Sequence, residues 1–260
     1  MEQITSLQNK LIKEVLELRE ASQRRAQGLT IIDGVREIKR AVEAGVVIAR
    51  IFYVKGSQEA LLKQLASRRI ETIEVSDRVM EKLVYGERHE GIIAIAQTSK
   101  LALKDLKLSK EPLIVVLESL EKPGNLGAIL RTCDGVGVEA VLVGDAKTDV
   151  YNPNVIRSST GVVFSLPVVC ASSSEIVAFL KSQHIKICAA APEASKLYTQ
   201  AVYKGRWAIV LGSEDKGLSD LWLKAADVTV KIPMKGQADS LNVSISAAVI
   251  LYEALRQRQN

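Results

Sequence analysis

Asn125, Arg131, Glu214, Ser240 and Asn242 are the polar side chains best placed to do chemistry, because each stands in a glycine-punctuated segment. The segments are Asn125-Leu-Gly-Ala-Ile-Leu-Arg131, Gly212-Ser-Glu-Asp-Lys-Gly217 and Ile232-Pro-Met-Lys-Gly-Gln-Ala-Asp-Ser-Leu-Asn-Val243. In the first, Pro123-Gly124 turns the chain and Asn125 can cap the helix that follows. Gly127 allows close backbone approach, and Arg131 falls one turn further on the same face. A helix N-terminus with an arginine on its first turns makes a phosphate seat. In the second, the glycines let a ligand lie against backbone amides, while Glu214 can accept from a ribose hydroxyl, an amine or an arginine. In the third, Ser240 and Asn242 are capping residues entering a very apolar helix. Taken singly, each segment is equally a capped helix or a solvated turn. Together they suggest one shared site.

The elements that must hold these segments are the short apolar runs before them, Leu113–Leu117, Trp207–Leu211 and Val228–Ile232, which read as β-strands. Loops at the carboxyl ends of strands are where open α/β sheets bind ligands. No G-K-[ST] follows the glycine-rich turn and no G-x-G-x-x-G is present. The usual NTP and dinucleotide sites are therefore disfavoured.

Composition agrees with an α/β protein: 47% hydrophobic residues and only 4% aromatics over 260 residues. No apolar run reaches the roughly 18 residues of a membrane span, and Met1–Lys10 lacks the core of a signal peptide. Cys133, Cys170 and Cys188 form no C-x-x-C pair and, with only His89 and His184 beside them, make neither a disulfide framework nor a zinc site. Reduced thiols in a cytoplasmic protein, with no metal, are expected. Net charge is +5. Residues 1–111 hold 20 Lys+Arg against 16 Asp+Glu, and residues 112–260 hold 15 against 14, so the excess lies in the first part. Such an excess is either a solvated surface or a polyanion-binding face.

Ile4, Leu7, Leu11, Val15 and Leu18 predict a helix over residues 4–20, followed by an arginine tract, Arg19 to Arg25, with three exposed guanidiniums. A second helix is predicted over Val35–Ala44, ended by Gly45, with Arg36 on its polar side. Strands at Ile51–Val54 and Ile92–Ala96 and a helix from Glu59 to Ala66 complete a first α/β unit, residues 1–98. Residues 99–111, with Lys100, Lys104, Lys107 and Lys110, read as a linker. A second α/β unit over residues 112–260 has strands near 113–117, 140–143, 185–189, 207–211 and 228–232, and ends in a helix, Val243–Arg256.

The three segments, in this order, resemble the SpoU (TrmH-like) branch of the SPOUT RNA methyltransferases. N-x-G-x-x-x-R is matched by Asn125, Gly127 and Arg131; G-x-E-x-x-G by Gly212, Glu214 and Gly217. I-P-M-x-G with S-L-N-V is matched by Ile232, Pro233, Met234, Gly236, Ser240, Leu241, Asn242 and Val243, and Asn152-Pro153 through Arg157-Ser-Ser-Thr-Gly161 is also similar. Asp215-Lys216 departs from the family, which often has a glycine after the glutamate. Residues 1–98 resemble the L30e-like substrate-binding domain found in front of such catalytic domains, through Arg24-Arg25 to Gly34-Val-Arg36 and His89-Glu-Gly91-Ile-Ile-Ala.

The resemblance implies a knotted α/β catalytic domain that holds S-adenosylmethionine, with Gly212, Ile232 and Leu241 gripping it through backbone groups and Gly217 and Met234 in the same pocket. It implies methyl transfer to a ribose 2′-hydroxyl of ribosomal or transfer RNA, ribosomal slightly favoured. It implies RNA contacts at Arg24, Arg25, Arg36 and Arg157, and a homodimer through the catalytic domain. The family gives proton removal to the arginine matched by Arg131. A guanidinium is a permanent cation in proteins, so binding phosphate and stabilising the developing alkoxide is the better role. Asn125, Glu214, Ser240 and Asn242 then orient Arg131 and the ribose. The alternative is a non-catalytic RNA-binding or ribosome-assembly protein on the same fold.

Overall fold

The computed structural model describes residues 3–66, 68, 70–86 and 90–259. His89, part of the segment that carries the N-terminal resemblance, lies outside them. The chain forms two compact units, one of residues 1–99 with 151–165, the other of residues 100–150 with 166–260.

In the first unit the elements are α1 (Lys10–Glu17), α2 (Ala21–Gln27), β1 (Leu29–Asp33), α3 (Val35–Glu43), β2 (Ile48–Tyr53), α4 (Glu59–Ala66), β3 (Glu71–Glu74), α5 (Asp77–Leu83) and β4 (Ile92–Gln97). The sheet order is β1-β4-β2-β3, with β4 antiparallel to both neighbours and β3 parallel to β2. Its core includes Ile12, Val15, Phe52, Ile73, Val79 and Met80.

The long first helix of the sequence reading is corrected. Ile4 instead bridges Val75 as an extended residue, and the helix begins only at Lys10, where the Asn9 side chain accepts from the Leu11 amide at 2.9 Å. Of the arginine tract, Arg24 and Arg25 stand on helix α2, and Arg19 lies in the turn before it. Arg24 is not exposed: it is 2% accessible and donates to the Leu18 and Arg19 carbonyls at 2.8 Å. A buried guanidinium must find acceptors, and here they are the carbonyls at the end of α1.

Helix α7 (Pro153–Ser158) belongs with this first unit, although the sequence reading set it inside the second. Three polar contacts fix its segment. Thr30 Oγ1 donates to the Tyr151 carbonyl at 2.7 Å, Arg40 donates to the Thr160 carbonyl at 3.0 Å, and Arg157 pairs with buried Asp33 at 2.5 Å.

The second unit contains β5 (Leu113–Glu118), α6 (Pro123–Val136), β6 (Ala140–Gly144), β7 (Val168–Ala171), α8 (Ser173–Ser182), β8 (Lys186–Ala190), β9 (Lys196–Leu197), β10 (Trp207–Leu211), α9 (Asp220–Ala225), β11 (Val228–Lys231) and α10 (Val243–Gln259). Its sheet is parallel throughout, in the order β7-β6-β5-β10-β8-β11-β9. Every residue of β5, β6 and β10 is buried, as expected of strands covered on both faces.

The expected linker is not a free tether. Leu101, Leu103, Leu106 and Leu108 pack against this unit's core beside Leu180 and Ile185. At the amino edge of the sheet, Arg258 near the end of α10 donates to the carbonyls of Glu111, Pro112, Tyr203 and Gly205. It ties the helix to the starts of β5 and β10.

Candidate active site

Because β5, β10 and β11 are parallel, the loops that leave them emerge on one edge of the sheet. Those loops are the three motif segments. Asn125 is the third residue of α6, and the residue preceding the helix is Lys122, which makes no side-chain cap. Asn125 therefore does not cap α6, as the sequence suggested. Pro123 starts the helix without needing a donor, and the Asn125 side chain is released for contacts across the site.

Those contacts form a polarised chain. Glu214 can only accept, so Asn125 presents its amide NH2 to Glu214 Oε1. That leaves Asn125 Oδ1 to accept from Asn242 Nδ2 at 3.3 Å. Asn242 Oδ1 is then turned to the start of α10, where it accepts from the Ser244 amide at 2.9 Å and the Ser244 hydroxyl at 2.7 Å. One carboxylate thus sets the orientation of two amides and completes the cap of the last helix. Lys122 Nζ lies 3.9 Å from the other Glu214 oxygen.

The second motif is a closed turn. Ser213 and Gly217 bridge across it, with the Gly217 amide donating to the Ser213 carbonyl at 3.0 Å. Gly217 has a φ of +63°, natural for glycine alone. Gly212 is required for a different reason. A Cβ there would stand 2.1 Å from the Gly217 carbonyl oxygen and 2.5 Å from the Leu218 nitrogen, both backbone atoms.

Against this turn lies a cavity of about 490 Å³, bounded also by the loop after β8, by the third motif and by the first turns of α10. Gly212, Gly217, Ile232, Met234, Ser240, Leu241 and Asn242 all line it, as does Glu214. Its apolar wall is Leu211, Leu218, Leu223, Val230 and Ile250, and its carboxylates are Glu193, Glu214, Asp215 and Asp239. An apolar wall for an aromatic base, exposed main chain for polar edges and several carboxylates for a cation coexist in one cleft. In the β5–α6 connection, Glu121 accepts from the Lys147 ammonium at 2.5 Å, which holds that carboxyl below its ordinary range, with Lys216 and Lys122 adding to the effect.

Arg131 is two turns into α6, about 12 Å of helix rise from Pro123. It is exposed, outside the Asn125–Glu214–Asn242 chain and not in the cavity wall. Ser240 is exposed at the cavity edge. Of the RNA candidates, Arg25 and Arg36 are exposed, Arg24 is buried and Arg157 is half-buried in its pair with Asp33. Lys122, Glu193 and Asp239 are site residues the sequence reading did not name. No periodicity marks them, because all three sit in loops.

Among the described residues no group of three or more His, Cys, Asp or Glu is arranged to hold a metal ion, and no helix is long and apolar enough to cross a membrane.

Residues 112–252 match the model of the SpoU rRNA Methylase family, and residues 9–94 match the MRM3-like substrate binding domain. The chain is 26% identical to the 23S rRNA (guanosine(2553)-2′-O)-methyltransferase RlmP of Bacillus subtilis, over 97% of this chain and 98% of that one. A crystal structure of an RNA 2′-O ribose methyltransferase aligns over 100% of both chains with a TM-score of 0.88 and 44% identity. The SpoU methyltransferase AviRb from Streptomyces viridochromogenes, solved in complex with AdoMet, aligns over 97% of this chain and 99% of that one, with a TM-score of 0.91 and 29% identity. The joining of the three motif loops through Asn125, Glu214 and Asn242 beside one cleft and these matches have the same explanation: the chain belongs to the SpoU rRNA methylase family.

Proposed function

We propose that the protein transfers a methyl group from S-adenosylmethionine to a ribose 2′-hydroxyl of RNA, with ribosomal RNA the substrate. The observation that carries this reading is the joining of three motif loops beside the cavity, where Asn125 bonds both Glu214 and Asn242 next to the wall formed by Gly212, Ile232 and Leu241. The residues fit the cofactor. Leu218, Leu223 and Ile250 offer an apolar wall to an adenine, and the Gly212, Ile232 and Leu241 segments offer main chain to its polar edges and to the methionine part. The carboxylates face a molecule that carries both an ammonium and a sulfonium. When bound, S-adenosylmethionine supplies a methyl group already activated by its positive charge.

The chain's own residues do the rest. Arg131 binds a phosphate next to the target ribose and stabilises the oxyanion that develops as the hydroxyl attacks, while phosphate or water takes the proton. Glu214, through Asn125 and Asn242, fixes the floor on which the ribose is oriented, and Ser240 offers a hydroxyl at its edge. Orientation of this kind is a large part of the rate of an in-line displacement.

Residues 1–98 act as an L30e-like RNA-binding domain, with Arg25 and Arg36 as exposed cationic contacts, and residues 112–260 as the catalytic domain with its trefoil knot. A homodimer through the catalytic domain is supported by Ile245 and Tyr252 of α10, which are 51% and 53% exposed on a helix packed beside α6. The protein works in the cytoplasm, without a metal.

The test is incubation with radiolabelled S-adenosylmethionine and ribosomal RNA lacking the modification, beside an Arg131→Ala control. Ribose-methylated nucleotides made by the wild type and not by the variant are expected. RNA binding without any transfer, by either protein, would favour the assembly-factor role.

A further inference from the structure

We propose that Glu118 is a positioning residue for the cofactor cavity, acting through the backbone of Ser219; the inference rests on the reading of that cavity as the S-adenosylmethionine site. Glu118 is the last residue of β5 and only 6% accessible. A carboxylate at a strand end, where the chain turns toward a polar site, has an easy route to water. This one is instead held inside, and its Oε2 accepts from the Ser219 amide at 2.8 Å. Ser219 stands just past the second motif and is the residue from which α9 starts, and that helix end has no side-chain cap of its own. Burying an ionised or polar carboxyl costs free energy unless its bonds replace those of water, so the contact is one the loop depends on.

The turn from Gly212 to Ser219 is therefore anchored at three points. At its near end, Gly212 lies against the Gly217 and Leu218 backbone with no room for a Cβ. In its middle, Glu214 bonds Asn125. At its far end, Glu118 holds Ser219. Both side-chain anchors come from the β5–α6 connection, since Glu118 begins it and Asn125 stands on the first turn of the helix beyond it. Leu218, next to the anchored amide, is part of the cavity wall. Releasing Ser219 frees Leu218 and the Gly217 turn, and with them the main chain that meets the cofactor. Glu118 itself is absent from the cavity wall, so its effect is on the shape of the loop rather than through contact.

The experiment measures S-adenosylmethionine affinity by calorimetry and melting temperature on the full chain, for wild type, four single variants and one double variant. Glu118→Ala removes the acceptor, Glu118→Gln keeps an acceptor oxygen, and Ser219→Pro removes the donor at a residue whose φ of −69° already suits proline. Val116→Ala, a buried core truncation in the same strand, is the control for general destabilisation.

Glu118→Ala and Ser219→Pro are expected to weaken cofactor binding by about tenfold or more. Their double variant should be no weaker than either alone. Glu118→Gln is expected to recover most of the affinity, and Val116→Ala to lower the melting temperature with affinity unchanged. Wild-type affinity in Glu118→Ala, or affinity that tracks melting temperature through all four single variants, would overturn the proposal. If Glu118→Ala does not fold, the Ser219→Pro and Glu118→Gln results decide it by the same criteria. A wild type that fails to bind S-adenosylmethionine would remove the cofactor reading itself, a result distinct from binding that is indifferent to Glu118.

Discussion

Gly212→Ala adds one methyl group and should disable the second motif. The added carbon would stand 2.1 Å from the Gly217 carbonyl oxygen, whereas ordinary contact begins near 3.4 Å, so the two backbone segments must part by about 1.3 Å (3.4 less 2.1). No flexible side chain can absorb that distance, because the three nearest atoms all belong to the main chain. Overpacking of this kind costs about 1–3 kcal/mol. Parting the turn also strains the Ser219 amide contact to Glu118, so the upper end of that range applies. For a protein of this size about 3 kcal/mol lowers the melting temperature by about 6–12 °C. Cofactor affinity should fall further than stability, since the displaced atoms form the cavity wall.

Differential scanning calorimetry and titration with S-adenosylmethionine read the two effects separately. Gly124→Ala and Gly236→Ala, each with open space where a Cβ would go and neither at positive φ, are the controls. They should melt within about 1 °C of wild type. The steric reasoning fails if Gly212→Ala melts and binds like these two.

Four further predictions concern other parts of the molecule. Arg24→Ala should destabilise the first unit by about 2 kcal/mol while Arg25→Ala leaves stability unchanged, as read by denaturant melts. Arg25→Ala should instead weaken RNA binding and reduce its salt slope by about 1 in a filter-binding titration. Glu253 is held at about 2 by its hydrogen bonds to Arg256 and Gln257, well below the ordinary 4.5. Its ionised form therefore stabilises the fold above pH 4.5, and the benefit disappears as pH falls toward 2. Glu253→Gln should melt lower than wild type at neutral pH and converge with it across that window. In the folded protein Cys133 and Cys188 should resist alkylation at neutral pH, because burial pushes both thiols up, Cys188 to about 12, and mass spectrometry after iodoacetamide treatment reads this directly.

Much of the second unit could be read from sequence because its strands announce themselves. Leu113–Leu117 and Trp207–Leu211 are unbroken apolar runs, which only doubly covered strands need. The three loops followed from where those runs end. What escaped was short or depended on tertiary partners. Strands β3, β7 and β9 have four, four and two residues, too few to show a period. Ile4 carries helical spacing yet pairs with Val75, so the sheet edge overrode the local pattern. The lysines of residues 99–111 suggested a solvated linker, but the leucines between them carry the packing. Arg24 and Arg25 are adjacent and identical in type, and only the fold tells which one faces water. Within the site, the residue types were legible, whereas the direction of the Asn125–Asn242 amide chain follows from geometry alone.

The strand order sets a timetable for synthesis. Strand β10 lies between β5 and β8, yet it is made after both, and Leu113 must wait for Trp207, 94 residues later (113 to 207). At about 5–20 residues per second, the apolar edge of β5 stays unpaired for about 5–20 s on the ribosome. During that interval the nascent chain offers a bare parallel edge to any neighbour, the type of surface that invites aggregation. The cleft cannot close until α10 has emerged as well, because its first turns complete the wall. A chain stalled before Trp207 should therefore be a client of chaperones that shield strand edges, and a finished one should not.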